Sequence, residues 1–265
     1  MQVWILTFNR PTALNRLIQH FGEQGYKTNV FSNHPELQLT KENYENYVDR
    51  VVVNTLNSSE SNSWCARSWN TILTKAMDKD DEAILIQDDT DISPNFRPWF
   101  EEQKQKYDFM WGPAGDQWHF IRKDVLKKVG WWDERYIGCY CGDAEYVKRV
   151  YHTWDKDRIS VEDSHNWGFR HNVSGISEHI ITTWDSKVTA NPGYENQHWE
   201  FERINKCNPT LKHSQKHFLD KWGVLLDNNS PVIDSWNRQL SEIDWYPWFS
   251  KKHGFTAYDD NQSQG

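Results

Sequence analysis

Three aspartates fall within four positions in "EAILIQDDTDISPNF", at 88, 89 and 91, directly behind an apolar run. Carboxylates this close repel one another unless a cation or a basic group lies among them. Two ordinary chemistries suit them: capping the helix expected from Ser93 and Pro94 onward, or holding a hard divalent cation through oxygen. Three charges are more than a cap needs. A second acidic pair, Asp143 and Glu145 in "GDAEYVKRV", opens another expected helix, where a carboxylate serves as a cap. A third concentration, "SHNWGFRHNVSGISEH", carries His165, His171 and His179, each an imidazole that suits either a metal or the surface.

The elements that must position these groups alternate. "QVWILTF" reads as a strand. "PTALNRLIQHFGEQG" reads as a helix, with Leu14, Leu17, Ile18 and Phe21 on one stripe and Gly22 and Gly25 as stop signals. "KTNVFSN" and "RVVVNT" are further strands. "SNSWCARSWNTILTKAM" is a helix with Ser61 or Ser63 as its cap and Trp69, Ile72, Leu73 and Ala76 on one face. "EAILIQ" is the next strand, with Asp88 at its carboxyl end. Strands follow around residues 109–111 and 118–122, then a helix over 123–129 stopped by Gly130, the helix "GDAEYVKRVYHTW" and the strand "RISVED". Alternation of this kind predicts an α/β fold with right-handed crossovers, in which ligands bind beyond the carboxyl ends of the strands. The aspartates and "TFNRP" (7–11) then occupy equivalent strand ends.

Bulk properties exclude other classes. The 265 residues suffice for a full core, as one large domain or two close halves. With 30 Lys+Arg against 38 Asp+Glu the formal charge is −8, against a generally nucleic-acid-binding surface. No apolar run approaches the ~20 residues of a membrane span. The start, "MQVWILTFNRP", has no basic region ahead of its apolar residues and reads as a strand rather than a signal peptide. Cys65, Cys139, Cys141 and Cys207 form no CxxC pair, which favours free thiols and a cytosolic setting over disulfides or zinc. The 16 tryptophans are expected mainly in packing, with Trp118 or Trp131 as candidates for stacking on a sugar face above "WGPAGDQWHF". Neither a Rossmann glycine fingerprint nor a Walker loop is present. From residue 224 the text turns irregular and ends in the tail-like "AYDDNQSQG".

Two stretches, in order, resemble the family-2-type glycosyltransferases of the GT-A fold. "CARSWNTILTKAMDKDDEAILIQDDTDISPNF" is similar to that family's "ARN" helix leading into a strand that ends in an aspartate motif. "KDVLKKVGWWDERYIGCYCGDAEYVKRV" is similar to its later "GxFDE" and "ED" stretch. With "TFNRP" the resemblance covers roughly residues 1–223. It implies a GT-A-type domain with a mostly parallel, Rossmann-like central sheet, a nucleotide-binding half over 1–110, an acceptor half over 111–223, and an extension over 224–265.

The resemblance also implies roles. Asp88 matches the carboxylate that contacts the nucleotide ribose, and Asp89 the one that binds Mn²⁺ or Mg²⁺ under the diphosphate. Gln87 stands where many relatives have a third aspartate, so Asp91 is the reserve metal ligand. Asp143 matches the general base of the "ED" motif; the family's Glu is Gly142 here, which makes Glu145 the second candidate. His171 resembles the last metal ligand, with His165 and His179 competing. Thr7, Asn9, Arg10 and Asn33 fall where the family holds base and ribose, and Arg67 matches the Arg of "ARN". The implied activity is transfer of a sugar, with inversion, from a nucleotide-sugar (a UDP-sugar foremost) to a hydroxyl of a glycan, a protein or a modified nucleic-acid base. The last acceptor belongs with a viral or phage setting, and a non-catalytic sugar-binding protein on the same fold is the alternative from another class.

Overall fold

The structure is a computed structural model, and it describes residues 1–7, 10–34, 37–54, 65–113, 115–134, 136, 142–162, 170–182 and 216. Four strands open the sheet: β1 (Gln2–Thr7), β2 (Thr28–Ser32), β3 (Val48–Val53) and β4 (Glu82–Gln87). They are joined by helices α1 (Pro11–Glu23), α2 (Lys41–Asn46) and α3 (Cys65–Met77). After β4 come the short strand β5 (Thr90–Ile92), helix α4 (Phe96–Gln103), β6 (Phe109–Trp111), β7 (Trp118–Arg122), α5 (Lys123–Val129) and α6 (Gly142–Thr153). Strands β8 (Ile159–Glu162), β9 (Arg170–His171) and β10 (Ile180–Thr182), with the one-turn helix α7 (Ile176–His179) between the last two, complete the described part.

Eight strands form one sheet in the order β3-β2-β1-β4-β7-β6-β8-β9. β1 pairs in parallel with β2 and β4, β2 with β3, and β6 with β8; β7 runs antiparallel to both of its neighbours. The class is therefore the expected one, an α/β fold whose central, mostly parallel sheet is flanked by helices. β5 and β10 pair with each other in a separate antiparallel ribbon. The expected division at residue 110 falls inside β6, while the extension beyond 223 lies outside the described residues.

Strand alternation sends successive side chains to opposite faces. From β1 and β4, Trp4, Leu6 and Leu85 join Trp69, Ile72, Val125 and Tyr146 in the layer covered by α3, α5 and α6. Val3, Ile5, Ile84 and Ile86 join Leu14, Phe21, Phe96 and Phe100 in the layer under α1 and α4. A strand covered on both faces reads as a nearly unbroken apolar run, which is why "EAILIQ" shows no polar alternation. The stripe that predicted α1 is the stripe it buries: Leu14, Leu17, Ile18 and Phe21. α4 begins at Phe96 behind Asn95, not at Ser93, because the chain first runs through β5 and a turn in which the Phe96 amide donates to the Ser93 carbonyl.

Candidate functional site

The parallel strands end on a common rim. β1 is held against β4 with Leu6 opposite Gln87, and the Asp88 amide continues the ladder to the Leu6 carbonyl at 3.1 Å. Asp88 is thereby placed beside Thr7, whose hydroxyl donates to Asp88 Oδ2 at 2.5 Å. On the next strand over, the Asn33 amide donates to the Thr7 carbonyl at 2.9 Å. Chain-end geometry thus gathers three residues from three strands, independently of their side chains.

Arg10 closes the group. It is the residue before α1, with Pro11 fixing the first helical position behind it. One guanidinium nitrogen, Nη1, lies 3.1 Å from Asp88 Oδ1 and 3.2 Å from Asp89 Oδ2. Among the described residues, the repulsion between Asp88 and Asp89 is relieved by Arg10, which meets both. A cationic nitrogen in reach of one oxygen from each carboxylate is also the test of fit for a divalent ion: the donor set is hard, anionic and already arranged around a positive charge. Among the described residues no group of three His, Cys, Asp or Glu side chains converges to hold a metal, so two carboxylates are what these residues bring.

Asn33 belongs to a second buried network. Its Nδ2 donates to Ser68 Oγ at 2.7 Å, and Asn54 Nδ2 donates to Asn33 Oδ1 at 3.3 Å. Asn33 and Asn54 follow β2 and β3 directly, and Ser68 comes from α3. Asn54 and Ser68 were passed over in the sequence. The available signal was an asparagine immediately after each of two neighbouring parallel strands, "VFSN" and "VVVN". Arg67 is exposed on the first turn of α3, one residue from Ser68. Asn9 lies outside the described residues.

Three expected ligands or bases are engaged elsewhere. Asp91 points at α1: its Oδ2 meets Arg16 Nε at 2.9 Å and its Oδ1 meets His20 Nδ1 at 2.6 Å. β5 carries it into the ribbon with β10, so both of its oxygens serve the tie between that ribbon and α1 and not a cation shared with Asp89. His171 lies in β9, opposite Val161, and its Nε2 meets the carbonyl of Lys156, in the turn ahead of β8, 2.9 Å away. β8 runs parallel to β6 and so ends at the rim; its start is the far edge, and His171 faces that edge. His179 stacks on Trp99 at 4.8 Å and meets Ser93 Oγ at 2.8 Å. His165 lies outside the described residues.

Glu145 is a structural group. It is wholly buried, and Arg149, one turn on, donates Nε and Nη2 to its two oxygens. The same guanidinium donates to the carbonyls of Val129 and Trp131, fastening the end of α5 to α6. Nearby on α6, burial pushes the Lys148 ammonium down to about 6, with the Glu145 carboxylate pulling it back up.

Asp143 sits in the first turn of α6, mostly buried, with Oδ1 accepting the Ala144 amide at 2.8 Å. A short 3-10 turn over Gly115–Gln117 packs on both β4 and α6, and the Gln117 carbonyl accepts from Thr90 Oγ1 at 3.4 Å. The start of β7 is therefore what connects the aspartate loop to the α6 side. Gln117 Oε1 is buried there and meets no donor among the described residues.

The tryptophans named for sugar stacking are packing residues. Trp118 is fully buried against Phe96, Trp99 and Phe100, and Trp131 is buried beside α6. His119 is also fully buried, ringed by Trp69, Trp111 and Trp132 at 5.1, 5.2 and 5.7 Å, and among the described residues neither nitrogen has a hydrogen-bond partner. Burial pushes its pKa from the ordinary 6.5 down to about 3. Among the described residues no helix is long and apolar enough to cross a membrane.

No protein-family model matches this chain, and no curated protein matches its sequence. Among solved structures it is similar to a mutant Drosophila β-1,4-galactosyltransferase 7 in complex with manganese, UDP-Gal and xylobiose, at 12% identity and TM-score 0.38, over 72% of this chain and 74% of that one. It is also similar to the A197 protein from STIV, at 11% identity and TM-score 0.35, over 70% of this chain and 96% of that one.

Proposed function

We propose that this chain is a metal-dependent glycosyltransferase that moves a sugar from a nucleotide-sugar, a UDP-sugar foremost, to a hydroxyl acceptor. The observation that carries the reading is the meeting of Thr7, Arg10, Asn33, Asp88 and Asp89 at the carboxyl ends of three adjacent parallel strands. That rim is where an open α/β sheet takes a nucleotide, and the order of motifs along the chain points the same way.

In this reading Thr7, Arg10, Asn33 and Asp88 hold the nucleotide, with Arg67 at the solvent side. Asp89 is the metal ligand, and Asp88 lends it charge. Mn²⁺ or Mg²⁺ bound there supplies charge neutralisation for the departing diphosphate. Asp143 accepts the proton of the acceptor hydroxyl as that oxygen bonds to the anomeric carbon from the face opposite the diphosphate. The bond from that carbon to the diphosphate oxygen breaks in the same step, so the configuration inverts. Glu145, Asp91 and His171 take no part.

A thermal-shift panel of UDP, GDP, CMP and dTDP, each with and without Mn²⁺, tests the proposal. Any ligand that binds only the folded state raises its stability by mass action. A Mn²⁺-dependent rise with one nucleotide, abolished in Asp89→Asn, is the expected result. No shift with any of the four overturns it. A shift without sugar transfer to any glycan, protein or DNA acceptor leaves a sugar-nucleotide binding protein.

A further inference from the structure

The contact of Arg10 with both aspartates has a consequence for how that rim fills, and the inference rests on the function proposed above. The side chains of Arg10, Asp88 and Asp89 are 12, 4 and 15% exposed, so the three charges sit together in a largely dry setting. One Arg10 nitrogen stands within 3.2 Å of a carboxylate oxygen on each aspartate. A divalent cation drawing on those oxygens needs the same space, and two positive groups at that separation repel strongly where water is excluded.

The described residues offer such a cation only these two carboxylates, whereas Mg²⁺ and its relatives take about six oxygens. The remaining ligands must come with the substrate or from water. Arg10 itself is suited to leave. It stands ahead of α1 with φ −123 and ψ 67, outside the helix, so its long side chain can re-aim without moving α1. Its fork of donors matches phosphate oxygens as well as it matches carboxylates.

We infer that Arg10 is a built-in counter-ion: it holds Asp88 and Asp89 in the free protein and passes to the diphosphate when a divalent cation takes its place. Cation and nucleoside diphosphate then bind as a unit, and each is weak alone. The coupling is reciprocal, because each ligand removes the group that opposes the other. Premature capture of a bare cation is suppressed, and the aspartates are never left as an uncompensated buried pair.

The experiment is a Mn²⁺ titration of the full chain, read from the electron paramagnetic resonance of free Mn²⁺, with and without saturating UDP or GDP. Wild type, Arg10→Met and Arg10→Lys are compared, with folding checked by circular dichroism; Arg10→Gln replaces the methionine variant if that one unfolds. Wild type is expected to bind Mn²⁺ at least ~10-fold more tightly with the nucleotide than without. Arg10→Met is expected to bind Mn²⁺ about 10-fold more tightly than wild type in the absence of nucleotide, and to gain much less when nucleotide is added. Arg10→Lys, which keeps the charge, should stay near wild type. A folded, neutral variant that binds Mn²⁺ no more tightly than wild type overturns the inference, and if wild type still couples Mn²⁺ to UDP or GDP, the glycosyltransferase reading stands without it. If neither nucleotide changes the Mn²⁺ affinity of wild type, the coupling is overturned, and the glycosyltransferase reading falls with it when CMP and dTDP also give no Mn²⁺-dependent thermal shift. A gain in Arg10→Met alone would then mark a counter-ion at an ordinary acidic loop.

Discussion

Arg149 lies one helical turn beyond Glu145 and donates to both of its oxygens, at 2.6 and 2.9 Å, with neither side chain exposed to solvent. A pair this deep is held by its own geometry and by the two backbone carbonyls, of Val129 and Trp131, that take two more of the guanidinium donors. Breaking it from one side strands a buried charge. Glu145→Ala is therefore expected to lose about 3–5 kcal/mol in urea unfolding, whereas a surface glutamate such as Glu42 changed to Ala should stay within about 0.5 kcal/mol. A normal unfolding midpoint for Glu145→Ala, with turnover lost, would return this residue to the list of bases.

Asp143 lies in the first turn of α6, where its Oδ1 accepts the Ala144 amide. Asp143→Asn keeps the shape of the helix start and removes the proton acceptor. Turnover of a donor–acceptor pair should fall about 10²–10⁴-fold while nucleotide binding with Mn²⁺ stays within a factor of about three. Isothermal titration and initial rates on the same preparation separate the two effects, and undiminished turnover would remove the base assignment.

Asp89 and Asp91 have the spacing of one motif but different work. Asp91→Asn should weaken the hold of the β5–β10 ribbon on α1, costing about 1–2 kcal/mol, and leave the Mn²⁺-dependent nucleotide response in place. Asp89→Asn should do the reverse: little change in stability and no Mn²⁺ response. Loss of the metal response in Asp91→Asn at full stability would show that the register is the later one.

His119 makes stability depend on pH in a direction that its surroundings dictate. The folded protein holds it neutral down to about pH 3, while in the unfolded chain it takes up a proton near 6.5. The unfolded state thus binds the extra proton between those values, and folding stability is lost as pH falls below about 6.5, by up to about 1.4 kcal/mol per pH unit from this residue. His119→Phe keeps an aromatic ring among Trp69, Trp111 and Trp132 and deletes both orphaned nitrogens. Urea unfolding at pH 7, 6, 5 and 4.5 should give the variant a shallower decline than wild type, with stability at pH 7 equal or slightly higher. Parallel curves would mean that water reaches the ring.

Much of the frame was legible because periodicity was. β1, α1, β4, α5 and α6 were all expected where they lie, since each carries an apolar stripe or run long enough to choose a face. α2 was missed because "KENYEN" has no apolar stripe at all; it is held by the Thr40 side chain accepting the Asn43 amide, and Asn43 is its buried residue. β5 and β10 were missed because each has three residues and its partner lies about ninety positions away, a separation no local pattern reports. The same ribbon decides where Asp91 lies. On paper "DDTD" puts the metal ligand at Asp89 with Asp91 in reserve, and only the strand that begins at Thr90 turns the last aspartate toward Arg16 and His20. The placement of His171 was illegible for a related reason: distance along the chain from β8 does not say to which edge of the sheet the next strand returns.

The reversed strand β7 leaves one more mark on the molecule. Because β6 runs with β4 and β7 runs against it, the hairpin joining them turns at the rim beside the aspartates, wedged so closely that a Cβ on Gly112 would stand 2.3 Å from the Glu162 carbonyl oxygen. An all-parallel sheet would send that connection to the far edge. Here the turn lies at the rim instead, with Gly112, Pro113, Gly115 and Gln117 all buried on the edge that carries the aspartates. The reversal thus brings a second, closely packed segment to the edge where Thr7, Asn33 and Asp88 end their strands.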